Sequence, residues 1–174
     1  MAEQRVIQRK VCLLGAFAVG KTSLIRKYIE GCFDDKYLST IGVKISRKSV
    51  HLEGGALSLI LWDLAGSEEY NGVQTSYLQG ATGGIIVCDL TRAETLDEWR
   101  RYTLRLRQVN PQARIILVAN KADLVASRVL SDGDLRAAAA ACASDGAIPP
   151  YLLTSAKTGE NVEAAFLCLA QQLL

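Results

Sequence analysis

An apolar run, Val11-Cys12-Leu13-Leu14, leads directly into Gly15-Ala16-Phe17-Ala18-Val19-Gly20-Lys21-Thr22, and that octet opens a helical stretch, Ser23-Leu24-Ile25-Arg26-Lys27-Tyr28-Ile29. The octet fits G-x-x-x-x-G-K-[ST] in the strand–loop–helix setting that a phosphate-binding loop requires. Glycines let the backbone turn through unusual dihedrals and approach a ligand closely. Successive N–H groups then converge on phosphate at a helix N-terminus, where the dipole favours negative charge. Lys21 supplies a point charge to the terminal phosphates, and the Thr22 hydroxyl a ligand for Mg²⁺. An ordinary glycine turn before a helix is the bland alternative. At an average glycine usage of about 7%, four fixed positions rarely coincide by accident.

The rest of the chain has to fold around that loop. A length of 174 residues suits one domain with a sizeable core. A formal net charge of +2 carries no electrostatic footprint for DNA or RNA. No apolar run approaches the ~18–20 residues of a membrane span. Met1 to Arg5 has no apolar segment behind it to make a signal peptide, and Ala2 rules out N-myristoylation. Cys12, Cys32, Cys88, Cys142 and Cys168 show neither paired nor metal-like spacing. Cys12 and Cys88 read as small core residues, and a reducing cytoplasm is the simple inference.

Strand-like and helix-like segments alternate without repeats or linkers. Residues 9–15 read as a strand and 21–31 as a helix ending near Gly31. Residues 43–52 and Ala56–Asp63 read as a hairpin turning at Glu53-Gly54-Gly55. Gly84–Asp89, Ile115–Asn120 and the shorter Tyr151–Thr154 look like strands buried on both faces. Helical stretches fall at about 94–109, 132–144 and 160–172, the last with Val162, Ala165, Phe166 and Leu169 on one face. This alternation predicts an α/β domain with a mostly parallel sheet covered on both faces. Ligands of such sheets bind at the carboxyl ends of the strands, where every motif here would gather. Residues 1–8 are expected to be a short N-terminal extension and 9–174 a single domain.

Three further motifs follow strands. Asp63-Leu64-Ala65-Gly66 offers a carboxylate that can hold Mg²⁺ through water and a Gly66 N–H for a terminal phosphate. Asn120-Lys121-Ala122-Asp123 offers an aspartate that can accept from the N1–H and 2-amino group of guanine; adenine lacks both donors. Ser155-Ala156-Lys157 offers the Ala156 N–H to the guanine oxygen. Alone, the aspartate reads as a helix cap and N-K-x-D as a plain turn; their order and spacing make accident improbable.

Taken together, GAFAVGKTS, STIGV, LWDLAGSEEY, VANKADL and TSAKTGENVEAAF resemble the Ras superfamily of small GTPases, most closely its Rab branch, over about Arg9 to Leu173. The resemblance implies a P-loop NTPase small G domain with a six-stranded, mostly parallel sheet holding one antiparallel strand. It also implies GTP/GDP and Mg²⁺ as ligands. Nucleotide contacts would come from Gly15, Phe17, Ala18, Val19, Gly20, Lys21, Thr22 and Ser23, and from Phe33, Tyr37, Thr40 and Gly66. At the base they would come from Asn120, Lys121, Asp123, Leu124, Ser155, Ala156 and Lys157. Thr22, Thr40 and Asp63 would serve the metal, and Lys21, Thr40, Gly66 and Ser67 catalysis. Thr40 would be the switch I threonine, Phe33 would pack against guanine, and residues 64–77 would be switch II. Loss of the γ-phosphate would release both loops. The implied partners are an effector through the two switches, an exchange factor and a GTPase-activating protein. A homodimer through the nucleotide face, supplying groups in trans, stays open.

Three departures from the family pattern bear on turnover. Ser67 stands where the catalytic glutamine is expected, and its hydroxyl reaches less far toward an attacking water. Phe17 stands where a small residue is usual and crowds the space an arginine finger would enter. Leu64 replaces a threonine. No arginine occurs in 33–46 to serve from switch I. The expectation is firm nucleotide binding with slow hydrolysis, and the alternative is a non-hydrolysing pseudo-GTPase acting as an interaction module. Rap-type relatives resemble this chain in lacking the glutamine, and their activating proteins supply a substitute.

Other features carry less. His51 reads as a solvated residue. Trp62 and Tyr77 with Ile45 partly match a Rab aromatic triad, hairpin packing being the equal alternative. The arginines between Arg100 and Arg107 read as one solvated helix face, or an acidic partner's dock. The sequence stops at Gln171-Gln172-Leu173-Leu174 without a prenylation cysteine, so no direct lipid anchor is expected from it.

Overall fold

The computed structural model describes residues 6–36, 40, 42–66 and 71–174, with backbone alone at 71–74. Among these, the strands are β1 Ile7–Gly15, β2 Val43–Leu52, β3 Gly55–Leu64, β4 Gly83–Asp89, β5 Arg114–Asn120 and β6 Tyr151–Leu153. They form one six-stranded sheet in the order β2-β3-β1-β4-β5-β6. β2 runs antiparallel to β3, and the other pairings are parallel.

The central strands read as continuous apolar runs because each pleat is buried on both sides. Val11, Leu13, Ile85, Val87, Ile116 and Val118 enter one core, under α1 (Lys21–Glu30) and α5 (Val162–Leu173). Cys12, Leu14, Ile86, Cys88, Leu117 and Ala119 enter the other, under α2 (Asn71–Leu78), α3 (Asp97–Val109) and α4 (Asp132–Ala141). That is the two-residue period of a strand sorting side chains between two layers. Val162, Ala165, Phe166 and Leu169 are buried as their spacing predicts, with Phe166 stacked on Tyr28 at 4.1 Å. Trp99 anchors the opposite layer, fully buried, its Nε1–H donating to the Val118 carbonyl at 3.3 Å. Burying about 150–250 Å² of an aromatic side chain contributes on the order of 4–6 kcal/mol. Burial also pushes the Cys12 thiol up to about 12 and raises that of Cys88, which suits inert core residues.

Local chemistry sets the element ends. Gly31, at φ +72°, closes α1 by returning its N–H to the Lys27 carbonyl. Ser131 and Asp134 make a reciprocal capping box at the start of α4.

Several boundaries differ from expectation. β1 begins at Ile7 rather than residue 9, because Ile7 and Gln8 pair with Leu57 and Ser58. The helix expected over 94–109 is a 3₁₀ turn, Ala93–Leu96, followed by α3. α4 ends at Ala141, and α5 starts at Val162 because Asn161 sits at φ +54°. α2 lies within the stretch read as switch loop; its sequence carries no apolar stripe to announce a helix. The arginines of α3 are not one free face: Arg105 donates to Thr75 at 3.3 Å and Arg107 to the Cys142 carbonyl at 2.6 Å, tying α3 to α2 and α4. Ile45 lies opposite Trp62, whose ring is 6.1 Å from that of Tyr77. His51 is exposed. No helix among the described residues is long and apolar enough to cross a membrane.

Candidate functional site

Strand order reverses at β1, so the loop leaving its carboxyl end lies at the switch point of the sheet, the usual ligand position in α/β folds. A cleft of about 340 Å³ opens there. Tyr37, Ser67 and residues 67–70 of the expected switch II lie outside the described residues. Every other predicted site residue lines the cleft except Gly15, Val19, Asp63 and Ser155. Those four sit one layer behind, each bonded to a residue that does line it.

The phosphate loop is built by backbone conformations few residues tolerate. Gly15 ends β1 at φ +148° with its α-carbon against the Val87 carbonyl, where a Cβ has no room. Ala18 sits at φ +61°, and Gly20 at φ +105° lies against the Asn120 amide. Gly66 meets the loop from outside: a Cβ there would stand 2.6 Å from Ala16 C and Phe17 N. The Phe17 side chain is half exposed at the mouth of the cleft.

Lys21 is buried, and among the described residues its ammonium donates to loop carbonyls, Gly15 at 3.0 Å and Ala16 at 2.9 Å. Burial without an ion pair lowers its pKa from 10.5 to about 8, although the nearby Asp63 charge works the other way. A phosphate beside it would restore the ammonium. Asp63 is buried too, and burial raises its pKa against the Thr22 hydrogen bond and the Lys21 charge.

The three predicted metal ligands converge. Thr22 Oγ1 lies 2.5 Å from Asp63 Oδ2 and 2.6 Å from Thr40 Oγ1, and Thr40 Oγ1 donates to Asp63 Oδ2 at 3.4 Å. Asp63 Oδ1 is buried with no hydrogen-bond partner among the described residues, a costly arrangement unless something else satisfies it. One carboxylate and two hydroxyls fit Mg²⁺, which prefers few protein oxygens alongside water and phosphate. No group of three or more His, Cys, Asp or Glu among the described residues makes a protein-only metal cage.

At the other end Asn120 acts as a keystone. Its Nδ2–H donates to the Val19 carbonyl at 3.0 Å, and its Oδ1 accepts from Thr154 Oγ1 at 3.0 Å and from the Ala156 N–H at 3.2 Å. The N–H predicted for the guanine oxygen is therefore engaged with Asn120. Ser155 Oγ donates to Asp123 Oδ1 at 2.7 Å, which orients the carboxylate predicted to read the base. Lys121 sits at φ +70° and pairs with Asp89 at 2.8 Å. Burial alone would lift the Asp89 carboxyl; hydrogen bonds from Lys121 and Thr91 hold it below the usual carboxylate range.

The sequence reading missed several residues of this region. Arg26, Asp34, Asp35, Lys36 and Leu64 also line the cleft. Arg26 lies four residues after Thr22, on the same helix face, and pairs with Glu30 at 3.2 Å and Asp34 at 3.6 Å. Helical spacing from Thr22 was the available signal. In the sequence Asp89 reads only as the end of a strand, although a carboxylate at the carboxyl end of a buried parallel strand is such a signal itself.

The Ras family model matches residues 10–174. The Ras-related protein RABD1 of Arabidopsis thaliana is 36% identical over 165 residues, covering 94% of this chain and 78% of that protein. The GTP-binding protein YPTM1 of Zea mays is 36% identical over 162 residues, covering 92% and 76% respectively. The loop, the sheet order and these similarities agree: the chain belongs to the Ras family of small GTPases, on its Rab branch.

Proposed function

We propose that this cleft binds GTP and GDP with Mg²⁺, and that the chain is a switch whose unassisted hydrolysis is slow. The convergence of Thr22, Thr40 and Asp63 beside an ammonium held by loop carbonyls carries the reading. Lys21 and the loop N–H groups hold the terminal phosphates, while Asp123, oriented by Ser155, selects guanine. Thr22, Thr40 and Asp63 hold Mg²⁺, which when bound neutralises charge on the β- and γ-phosphates. Thr40 ties switch I to that cluster. The Ala65 N–H donates to the Gly42 carbonyl at 3.0 Å, so the two switches meet where they approach the phosphates. An effector reads their joint conformation; an exchange factor and an activating protein move the cycle.

Turnover is where this chain departs. Gly66 meets the phosphate loop at Ala16 and Phe17, and the Phe17 side chain stands half exposed at the mouth of the cleft. In Ras-type switches an activating partner, its arginine included, raises hydrolysis ~10⁵-fold, about 7 kcal/mol. Here the ring obstructs that route, and serine replaces the side chain that orients water. A non-hydrolysing module has no use for Thr40 drawn onto Thr22 and Asp63, which favours the switch. Single-turnover cleavage of bound GTP is the test. Slow phosphate release with GDP as product is expected; a rate matching an assisted GTPase, without partner, would refute slow turnover, and no cleavage at all would favour the module.

A further inference from the structure

An ion cluster centred on buried Asp89 lies next to the cleft, and only its Lys121 enters the reading above. Asp89 ends β4 with its carboxylate fully buried and saturated. Its Oδ1 accepts from the Thr91 N–H at 2.8 Å and the Thr91 hydroxyl at 2.7 Å. Its Oδ2 accepts from Lys121 Nζ at 2.8 Å and Arg92 Nε at 3.1 Å. The same arginine reaches onward: Arg92 Nη2 donates to the main-chain carbonyl of Phe17 at 2.6 Å.

We propose that Arg92 is a positioning residue for nucleotide retention, strapping the phosphate loop to the base-reading motif by bridging the Asp89 carboxylate and the Phe17 carbonyl. Three separate loops meet in this strap: the one after β1, the one after β4 and the one after β5. Two of them contain non-glycine residues at positive φ, Ala18 at +61° and Lys121 at +70°, conformations that persist only when surroundings hold them. Asn120 already joins these two loops on one side through the Val19 carbonyl. Arg92 joins them again, two residues earlier in the phosphate loop.

The turn that carries Arg92 is fixed. Its N–H donates to the Asp89 carbonyl at 3.0 Å, and Thr95 Oγ1 takes the Asp89 N–H at 2.9 Å and donates to the Arg92 carbonyl at 2.8 Å. Bridging also needs arginine itself. Nε and Nη2 belong to one rigid planar fork, so fixing one end on a buried carboxylate aims the other. A lysine ammonium offers its donors from a single point, without the fork that sets Nε on one partner and Nη2 on the other. In the sequence, Thr91-Arg92-Ala93-Glu94 looks like an ordinary surface loop; only the fold brings residue 92 to residue 17.

This inference rests on the nucleotide reading of the cleft, and one experiment separates the two. Release of a fluorescent GDP analogue is followed for wild type, R92A and R92K with Mg²⁺ present, and the bound GDP phosphates are observed by ³¹P NMR. Release about fivefold faster from R92A (roughly 1 kcal/mol) is expected, with R92K intermediate and the β-phosphate resonance displaced in both variants. Release from both variants within twofold of wild type overturns the strap, whatever the wild-type rate. Faster release with an unmoved β-phosphate resonance also overturns it, because that marks general loosening rather than positioning of the loop. If R92A does not fold, R92K decides alone by the same two readouts. Wild type that retains no GDP overturns the nucleotide reading and the strap together.

Discussion

Asn120→Ala should cost more stability than a polar-to-alanine change usually does. Asn120 is buried and makes three hydrogen bonds, to Val19, Thr154 and Ala156. Each is worth about 0.5–1.5 kcal/mol, and leaving the buried partners unsatisfied adds about 1–3 kcal/mol per group that water cannot reach. Allowing for relaxation, the loss is on the order of 3–5 kcal/mol. For a chain of this size that corresponds to a melting point about 6–20 °C lower. Asn120→Asp separates the parts: it keeps the acceptor for Thr154 and Ala156 but sets a carboxylate oxygen against the Val19 carbonyl. Urea unfolding of nucleotide-free protein measures the loss without the contribution of bound ligand. Both variants should also release GDP faster, since Val19 belongs to the phosphate loop and Ala156 to the base loop. A loss below about 1 kcal/mol for Asn120→Ala would refute the keystone role.

Lys21 predicts a proton linkage. Its ligand-free pKa lies near 8 instead of 10.5, so between those values the unfolded chain binds more protons, and ligand-free stability should rise with pH across that window. Phosphate restores the ammonium, so GDP binding at pH about 8 should take up about half a proton, measured by calorimetry in buffers of different ionisation enthalpy; no uptake would contradict the burial argument. Gly66→Ala should block approach of the switch to the loop, because its Cβ would press on Ala16 and Phe17. GTP-dependent protection of switch II in hydrogen exchange should vanish while GDP binding survives. Asp123→Asn should shift preference from guanine toward xanthine nucleotides, and unchanged selectivity would count against the base assignment.

How far the sequence revealed the site depends on where the chemistry lives. Gly15, Gly20, Lys21 and Thr22 are legible because a strand, a loop and a helix start are contiguous, and contiguous geometry is written in local spacing. The strands β4, β5 and β6 are legible because their apolar runs are separated by helical periods. Asp63, Asn120 and Asp123 are legible as ends of those runs. Arg92 is not, because its partner is 75 positions away and its own turn is an unremarkable polar stretch. Arg26 reaches the cleft through helix geometry that only matters once switch I lies against α1. The contacts of Arg105 and Arg107 are not legible, because a charged helix face looks solvated until α2 and α4 are packed beside it. α2 escaped notice because no apolar stripe marks it. Residue types with fixed local meaning survive translation from sequence to site; long-range polar bridges do not.

The claim that most needs testing is that Phe17 and Ser67 limit an otherwise complete switch. Single-turnover cleavage of prebound GTP, compared between wild type and the double variant F17G/S67Q, addresses it directly. The double variant should cleave at least about tenfold faster, a barrier roughly 1.4 kcal/mol lower. Equal cleavage rates in the two proteins would contradict the account and move the limit on turnover elsewhere in the cleft.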